Sequence, residues 1–183
     1  AGKKITLTGK GSGDGHKVLE STHSSSAFAT SGASGGKIGV AGSVAINYSE
    51  GTTSATIGNG AAITLQDGID AGTDKPDLVL NADASSNNLA QAEPKRTTAG
   101  KSVGVGLSFG INIGLHDASA IFEDTATLSG ANHVSVTADG IHTMATEAKA
   151  GAGAGEDEGT AVGGSIALSV SDNDTVARVG TGT

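Results

Sequence analysis

The chain of 183 residues holds 30 Gly, 2 Pro, 3 Phe, 1 Tyr and neither Trp nor Cys, with 11 basic against 19 acidic residues for a net charge of −8. Leu, Ile, Val and Phe together make up just under a fifth of it, too little for the deep mixed core of an α/β enzyme but enough for many thin, regular layers. The acidic balance and the lack of aromatic platforms exclude a nucleic-acid surface, no apolar run reaches the ~20 residues of a membrane-spanning helix, and the absence of Cys removes disulfides and thiolate metal sites.

In chain order, the first element the pattern predicts is a short strand at Ile5-Thr6-Leu7-Thr8. A long alternation follows, in which Ile38, Val40, Val44, Ile46 and Tyr48 exchange with Gly39, Ala41, Ser43, Ala45 and Asn47. A period of two marks a strand, read here with its large residues toward a core. After a polar turn at Ser49-Glu50-Gly51 come Ala55-Thr56-Ile57-Gly58, a loop from Asp67 to Pro76 rich in turn residues, and Leu78-Val79-Leu80-Asn81-Ala82-Asp83. The alternation then returns with Val103, Val105, Leu107, Phe109, Ile111 and Ile113 against Gly104, Gly106, Ser108, Gly110 and Asn112. A break at His116-Asp117 leads to Ala120-Ile121-Phe122-Glu123, then to Val134-Ser135-Val136-Thr137-Ala138-Asp139. The stretch from Met144 to Ala150 is the nearest approach to a helical pattern, and it runs straight into Gly151-Ala152-Gly153-Ala154-Gly155. The last copy is Ser165-Ile166-Ala167-Leu168-Ser169-Val170-Ser171-Asp172, with a turn at Ser171-Asp172-Asn173-Asp174 and a closing Ala177-Arg178-Val179-Gly180.

These elements form an internal repeat. Ser43, Ser108 and Ser165 head gap-free copies spaced 65 and 57 residues apart, and Leu78 and Val134 head a second pair 56 apart, with Ile5 to Thr8 as a degenerate earlier copy. The loop at 67–76 accounts for the longer spacing. The expected class is all-β, a right-handed parallel β-solenoid (β-helix), the alternative being β-hairpin repeats that form a sandwich or roll. One continuous repeat domain is expected, made of a degenerate first repeat (1–35), a repeat with the loop insertion (36–100), a repeat (101–158) and a partial repeat (159–183). Dividing each repeat into about three coils of ~20 residues gives about nine coils and a rod on the order of 40 Å long. Gly42 would mark a corner in the long strand, and Pro76 and Pro94 would fall between strands, where no ladder bond is lost. The layers expected inside are Val40, Val44, Ile46, Val105, Phe109, Ile111, Ile166, Leu168 and Val170, so Ile111→Asp is expected to unfold the chain.

The order of His133-Val134-Ser135-Val136-Thr137-Ala138, Ala150-Gly151-Ala152-Gly153-Ala154-Gly155, Gly164-Ser165-Ile166-Ala167-Leu168 and Ala177-Arg178-Val179-Gly180 resembles the long repeats of giant bacterial surface adhesins. These are the leukotoxin-like and filamentous-haemagglutinin-like proteins and related autotransporter passengers. The resemblance covers most of residues 36–183. It implies an extracellular β-solenoid that serves as stalk or binding surface, with no catalytic residues. Gly42-Ser43-Val44-Ala45-Ile46 and Gly164-Ser165-Ile166-Ala167-Leu168 also look like strands of trimeric autotransporter heads, whose repeat is much shorter.

Candidate chemistry is sparse. Gly106-Leu107-Ser108-Phe109-Gly110 fits the G-x-S-x-G nucleophile elbow, but an elbow needs a strand-to-helix turn and Ser108 sits inside an alternating strand. His16, His23, His116, His133 and His142 lack metal-ligand spacing, so a cluster would have to assemble through space, and solvent-facing positions are expected for them. Asp172, Asp174 and Glu156-Asp157-Glu158 are the residues that would hold Ca²⁺ if any do, against a reading as solvated turns. Gly151 to Gly155 read as a close-packed or flexible turn in preference to a phosphate cradle, since nothing helical follows. The small-residue rows Gly39, Ala41, Ser43, Ala45 and Gly104, Gly106, Ser108, Gly110 form flat strips. Such strips dock a second sheet, a neighbouring molecule or a glycan, or simply allow coils to pack tightly.

The expectation is a non-enzymatic structural or adhesive segment of a large secreted or cell-surface bacterial protein, with no catalytic, cofactor or metal residues assigned. A calcium-stiffened extracellular scaffold is the variant reading, and a carbohydrate-active enzyme on a β-helix the opposing class. Its partners would be a surface receptor or glycan, met at exposed turns 49–52, 114–117 and 171–174, and flanking repeats of the same polypeptide. The start at Ala1-Gly2-Lys3-Lys4, without Met or signal peptide, reads as a piece of a longer chain.

Overall fold

A computed structural model of the chain describes residues 4–5, 20–33, 36–65, 77–94, 99–100, 102–154 and 159–181. Among them are eleven strands and no helix: β1 (Lys4–Ile5), β2 (Glu20–Ser31), β3 (Ile38–Ile57), β4 (Ala62–Thr64), β5 (Leu78–Pro94), β6 (Ala99–Gly100), β7 (Val103–Phe122), β8 (Thr127–Ser129), β9 (Val134–Ala148), β10 (Gly153–Ala154) and β11 (Thr160–Val179). Strands β3, β7 and β11 form one long sheet with β7 central, and β2, β5 and β9 form a second with β5 central. A short sheet of β1, β4 and β8 and a pair of β6 with β10 complete the set.

Each strand pairs with its copy in the neighbouring repeat, and every ladder among the described residues is parallel. The repeat dictates this, because identical alternations placed side by side keep every column of side chains on one face. Ile38 lies beside Val103 and Val103 beside Thr160, and the register runs without slip to Ile57, Phe122 and Val179. Ser43, Ser108 and Ser165 share a column, as Leu78 and Val134 do in the second long sheet. Parallel neighbours need a long crossover. Each repeat supplies it by passing along the first long sheet, through the short sheet and along the second. The connection from β4 to β5 is longer than that from β8 to β9, which sets the wider spacing of the first two copies.

One repeat therefore builds one layer, and the division into three ~20-residue coils does not hold, nor does the nine-coil rod. β3 is unbroken from Ile38 to Ile57, so Gly42 is not a corner. Hairpin units would pair antiparallel, so the hairpin alternative falls with the parallel ladders. Ile5 pairs with Ile63 of the short sheet, which makes it a copy of Ile63 and Leu128 and not of the Leu78 strand. The first layer's counterpart of β5 is β2, with Glu20 beside Asp83.

The two long sheets pack face to face, and the gap between them inverts the expected orientation of the alternation. Ala41, Ser43, Ala45, Asn47 and Ser49 are buried, whereas Val40 and Ile46 are 64% and 59% exposed. In the central strand Ser108, Asn112, His116, Ala118 and Ala120 are buried while Leu107 and Phe109 face outward. A Cβ built on Gly106 would run into the carbonyl oxygen of Gly151, and one on Gly104 into that of Gly153. The sheets thus approach backbone to backbone, and only small residues or a flat amide fit between them. Large aliphatic side chains, including those expected as core layers, are left on the outer face because a period of two sends them all to the same side.

Among the described residues a true apolar core lies where the chain passes from the first long sheet to the second. Ile63, Leu65, Leu78, Phe122 and Ala126 are buried together there, with Ile57, Ala61, Leu128 and Ala131 against them. Gly60 and Gly130, at φ 73° and 81°, turn the chain beside this core. A Cβ on Gly130 would strike the Leu65 carbonyl.

Candidate functional site

The gap between the long sheets is lined by hydrogen bonds that run along the stack and across it. Asn47 Nδ2 donates to Asn112 Oδ1 at 3.0 Å, and Asn112 Nδ2 donates across the gap to the carbonyls of Asn88 (2.9 Å) and Ala145 (3.1 Å). Ser25 Oγ donates to Asn47 Oδ1. One amide reaching from one sheet to the backbone of the other fixes their separation and satisfies groups that would otherwise be buried unpaired. Ser108 belongs to the same system, its Oγ 2.8 Å from that of Ser43. The two glycines of its G-x-S-x-G motif, Gly106 and Gly110, face the gap by the strand's alternation, at positions where the segment after β9 and β9 itself leave little or no room for a Cβ.

Three histidines converge further along the gap. In β2, β5 and β9 one column reads His23, Ser86, His142, and in the opposing strands β3, β7 and β11 it reads Gly51, His116, Asn173. His116 fills the space that Gly51 and Ser86 leave; a Cβ on Gly51 would lie 3.0 Å from its Nδ1. Its ring stacks on His142 at 4.9 Å and 8°, and stands 6.2 Å from His23. His116 Nε2 lies 3.1 Å from Asn88 Nδ2 and 3.4 Å from Ser49 Oγ, and His142 Nδ1 lies 2.8 Å from Ser86 Oγ. Asn88 Oδ1 and His142 Nε2 are buried with no hydrogen-bond partner among the described residues. Burial, with His142 and His23 alongside, pushes the His116 imidazole below its ordinary range, while Asp117 opposes the shift. Solvent-facing positions expected for the histidines therefore fail for His116; His133 does stand exposed, 3.1 Å from Asp77. His16 lies outside the described residues.

The segments 49–52, 114–117 and 171–174 are not turns. They lie inside β3, β7 and β11, where Ser49 and His116 point into the gap and Glu50, Asp117, Asp172 and Asp174 point out. Asp172 and Asp174 thus share the outer face of an edge strand, while Glu156-Asp157-Glu158 lie outside the described residues. Among the described residues no three His, Asp or Glu side chains are grouped as metal ligands would be.

The outer faces of the two long sheets differ in kind. That of β2, β5 and β9 carries polar columns, among them Asn81 with Thr137 (2.6 Å), Gln91 with Glu147 (2.7 Å) and Lys149 paired with Glu93. That of β3, β7 and β11 is an apolar field, interrupted by Gly42 and Gly164 on either side of Leu107: Val44 beside Phe109 beside Ile166, and Ile46 beside Ile111 beside Leu168. Alternation in the sequence locates both rows of each strand but not which row faces water. The signal that distinguishes them is Asn47 aligned with Asn112 inside a run of Gly, Ala and Ser, since an amide ladder in a row of small residues has its use in a closed gap.

No helix among the described residues is long and apolar enough to cross a membrane. No family model, curated protein or solved structure matches the chain.

Proposed function

We propose that the chain is a non-enzymatic scaffold segment of a large secreted or cell-surface protein, a right-handed parallel β-solenoid in which each repeat is one wide coil. Right-handedness follows from the general preference of parallel strand–crossover–strand connections. The observation that carries the reading is the copy-to-copy parallel register, unbroken over twenty residues in β3, β7 and β11. A chain built this way extends by whole layers, gains stability from each neighbour interface, and spends its sequence on stacking instead of on a reaction centre. Adhesive contact belongs to the outward columns of the solenoid, and the resemblance to adhesin repeats supports that role.

Duplicating residues 103–159 in place tests the scaffold. The lengthened chain is expected to melt in a single transition at a higher temperature, whereas a separate, lower transition for the added unit would overturn one coil per repeat. Adhesion is tested by presenting the segment on beads to epithelial cells and to a glycan array. Binding no greater than that of bare beads to both would remove the adhesive role and leave the scaffold.

A further inference from the structure

The apolar field on the outer face of β3, β7 and β11 is at the upper end of what a monomer's surface leaves open. Ile38, Val40, Val44, Ile46 and Tyr48 of β3 stand 57–66% exposed, and Leu107, Phe109, Val162, Ile166, Leu168 and Val170 continue the field over 39–59% exposure. Eleven residues of strand at ~3.3 Å each and three strands at ~4.8 Å give a footprint of about 500 Å². That lies within the range of about 300–600 Å² of the largest apolar patches on monomers, which are often functional, and two such faces together reach about the 1,000 Å² at which specific interfaces begin.

We infer that this face is a homotypic interface, in which a second copy of the chain packs its own β3–β7–β11 face against the first with strands running antiparallel. Three features favour that occupant. First, the field is flat and three strands wide, so a single helix of ~10 Å diameter would leave part of it wet, whereas an identical sheet covers it entirely. Second, its acidic groups lie at one end only: past Tyr48, Ile113 and Val170 the outward columns are Glu50–Leu115–Asp172 and Thr52–Asp117–Asp174, whereas the column at the other end is the uncharged Ile38–Val103–Thr160. A parallel arrangement would set that acidic band on its own copy. A two-fold axis at the middle of the field keeps the two acidic bands at opposite ends, each over the uncharged end of the other copy. Third, a chain of net charge −8 with an acidic border is repelled by anionic lipid, which disfavours a membrane as the occupant. The axis falls at the column Val44–Phe109–Ile166. The inference holds whether or not the segment is adhesive.

The test is mass by light scattering and sedimentation from 1 to 100 μM, on the native chain and on two variants. Phe109→Glu places two like charges at the axis, and its equilibrium constant for dimerisation is expected to fall at least 100-fold. Ile141→Glu, the same change at an exposed site on the other outer face, is expected to leave the dimer intact. Because the chain has no Cys, Val44→Cys supplies an independent reading: it is expected to cross-link copy to copy under oxidation, and Ile141→Cys is not. A native chain that stays monomeric at 100 μM overturns the inference. So does an assembly that survives Phe109→Glu with unchanged circular dichroism, which would assign it to the strand edges, or a monomer that floats with phosphatidylcholine vesicles, which would assign the face to lipid.

Discussion

At the residue scale the gap between the sheets decides what each substitution does. Gly106→Val puts a branched side chain against the Gly151 carbonyl, where backbone faces backbone. It is expected to cost at least ~3 kcal/mol, read as a loss of cooperative melting or a large fall in denaturation midpoint. Ile111→Asp, which a core of large residues would not survive, is expected to cost only about 1 kcal/mol in a dilute monomer, since Ile111 lies on the outer face. Asn112→Ala leaves Asn47 and the carbonyls of Asn88 and Ala145 without their partner, and urea titration is expected to show a loss of about 3 kcal/mol. His116 gives the chain a pH dependence of definite sign. Its folded pKa lies below the ordinary value of 6.5, so the unfolded chain binds the proton more readily. The stability involved is complete above about pH 6.5 and is lost as pH falls below it. His23, His142 and Asp117 are the titratable groups around it, and Asn173 holds the aligned position in β11. In His116→Asn, thermal melts at pH 7.5 and pH 5.5 are therefore expected to differ less than in the native chain; an unchanged difference would move the effect to other groups.

At the element scale, the register of the aligned copies was legible in the sequence, whereas β2, the passage of the long strands through their polar stretches, the strand at Met144 to Ala148 and strand orientation were not. The columns headed by Ser43, Ser108 and Ser165, and by Leu78 and Val134, follow from aligning the copies, because pairing copy to copy is what keeps like residues on one face. Ser49-Glu50-Gly51, His116-Asp117 and Ser171-Asp172-Asn173-Asp174 read as turns because such residues bend free backbone. In a stack the same residues find partners in adjacent copies and in the opposing sheet, as Ser49 and Asn88 do with His116, and the strand continues. Orientation was hidden because hydrophobicity places large residues inside only where the interior has room for them. The histidine cluster was hidden for a related reason: His23, His116 and His142 lie on three strands of two sheets, and no spacing along the chain encodes their meeting. The loop before β5 affords a test of register independent of all side chains. Shortening it to the length of the β8–β9 connection leaves Leu78 beside Val134, and since closure entropy changes slowly with loop length, the melting temperature is expected to move by no more than a few degrees.

At the scale of the whole molecule, the described layers form a slab whose long direction is the strand. Twenty residues at ~3.3 Å span about 66 Å, while three layers at ~4.8 Å rise only about 14 Å, so the shape inverts the rod expected from short coils. One face of the slab is polar and laddered, and the other is aliphatic with an acidic border. Among the described residues β3 and β11 are the edges of this sheet, with unpaired backbone of the register that β7 already accepts on both sides. Growth by repeats and association through the aliphatic face are therefore perpendicular, and scattering can separate them. In the Phe109→Glu chain, adding one copy of residues 103–159 is expected to leave the longest dimension near 66 Å and raise the stacking dimension by about 4.8 Å. In the native chain the added copy widens the aliphatic face by a third as well, so dimerisation is expected to tighten with length while the Phe109→Glu series remains monomeric. A longest dimension that grows with each added copy would return the molecule to a rod of short coils and remove both the slab and the shared face built on it.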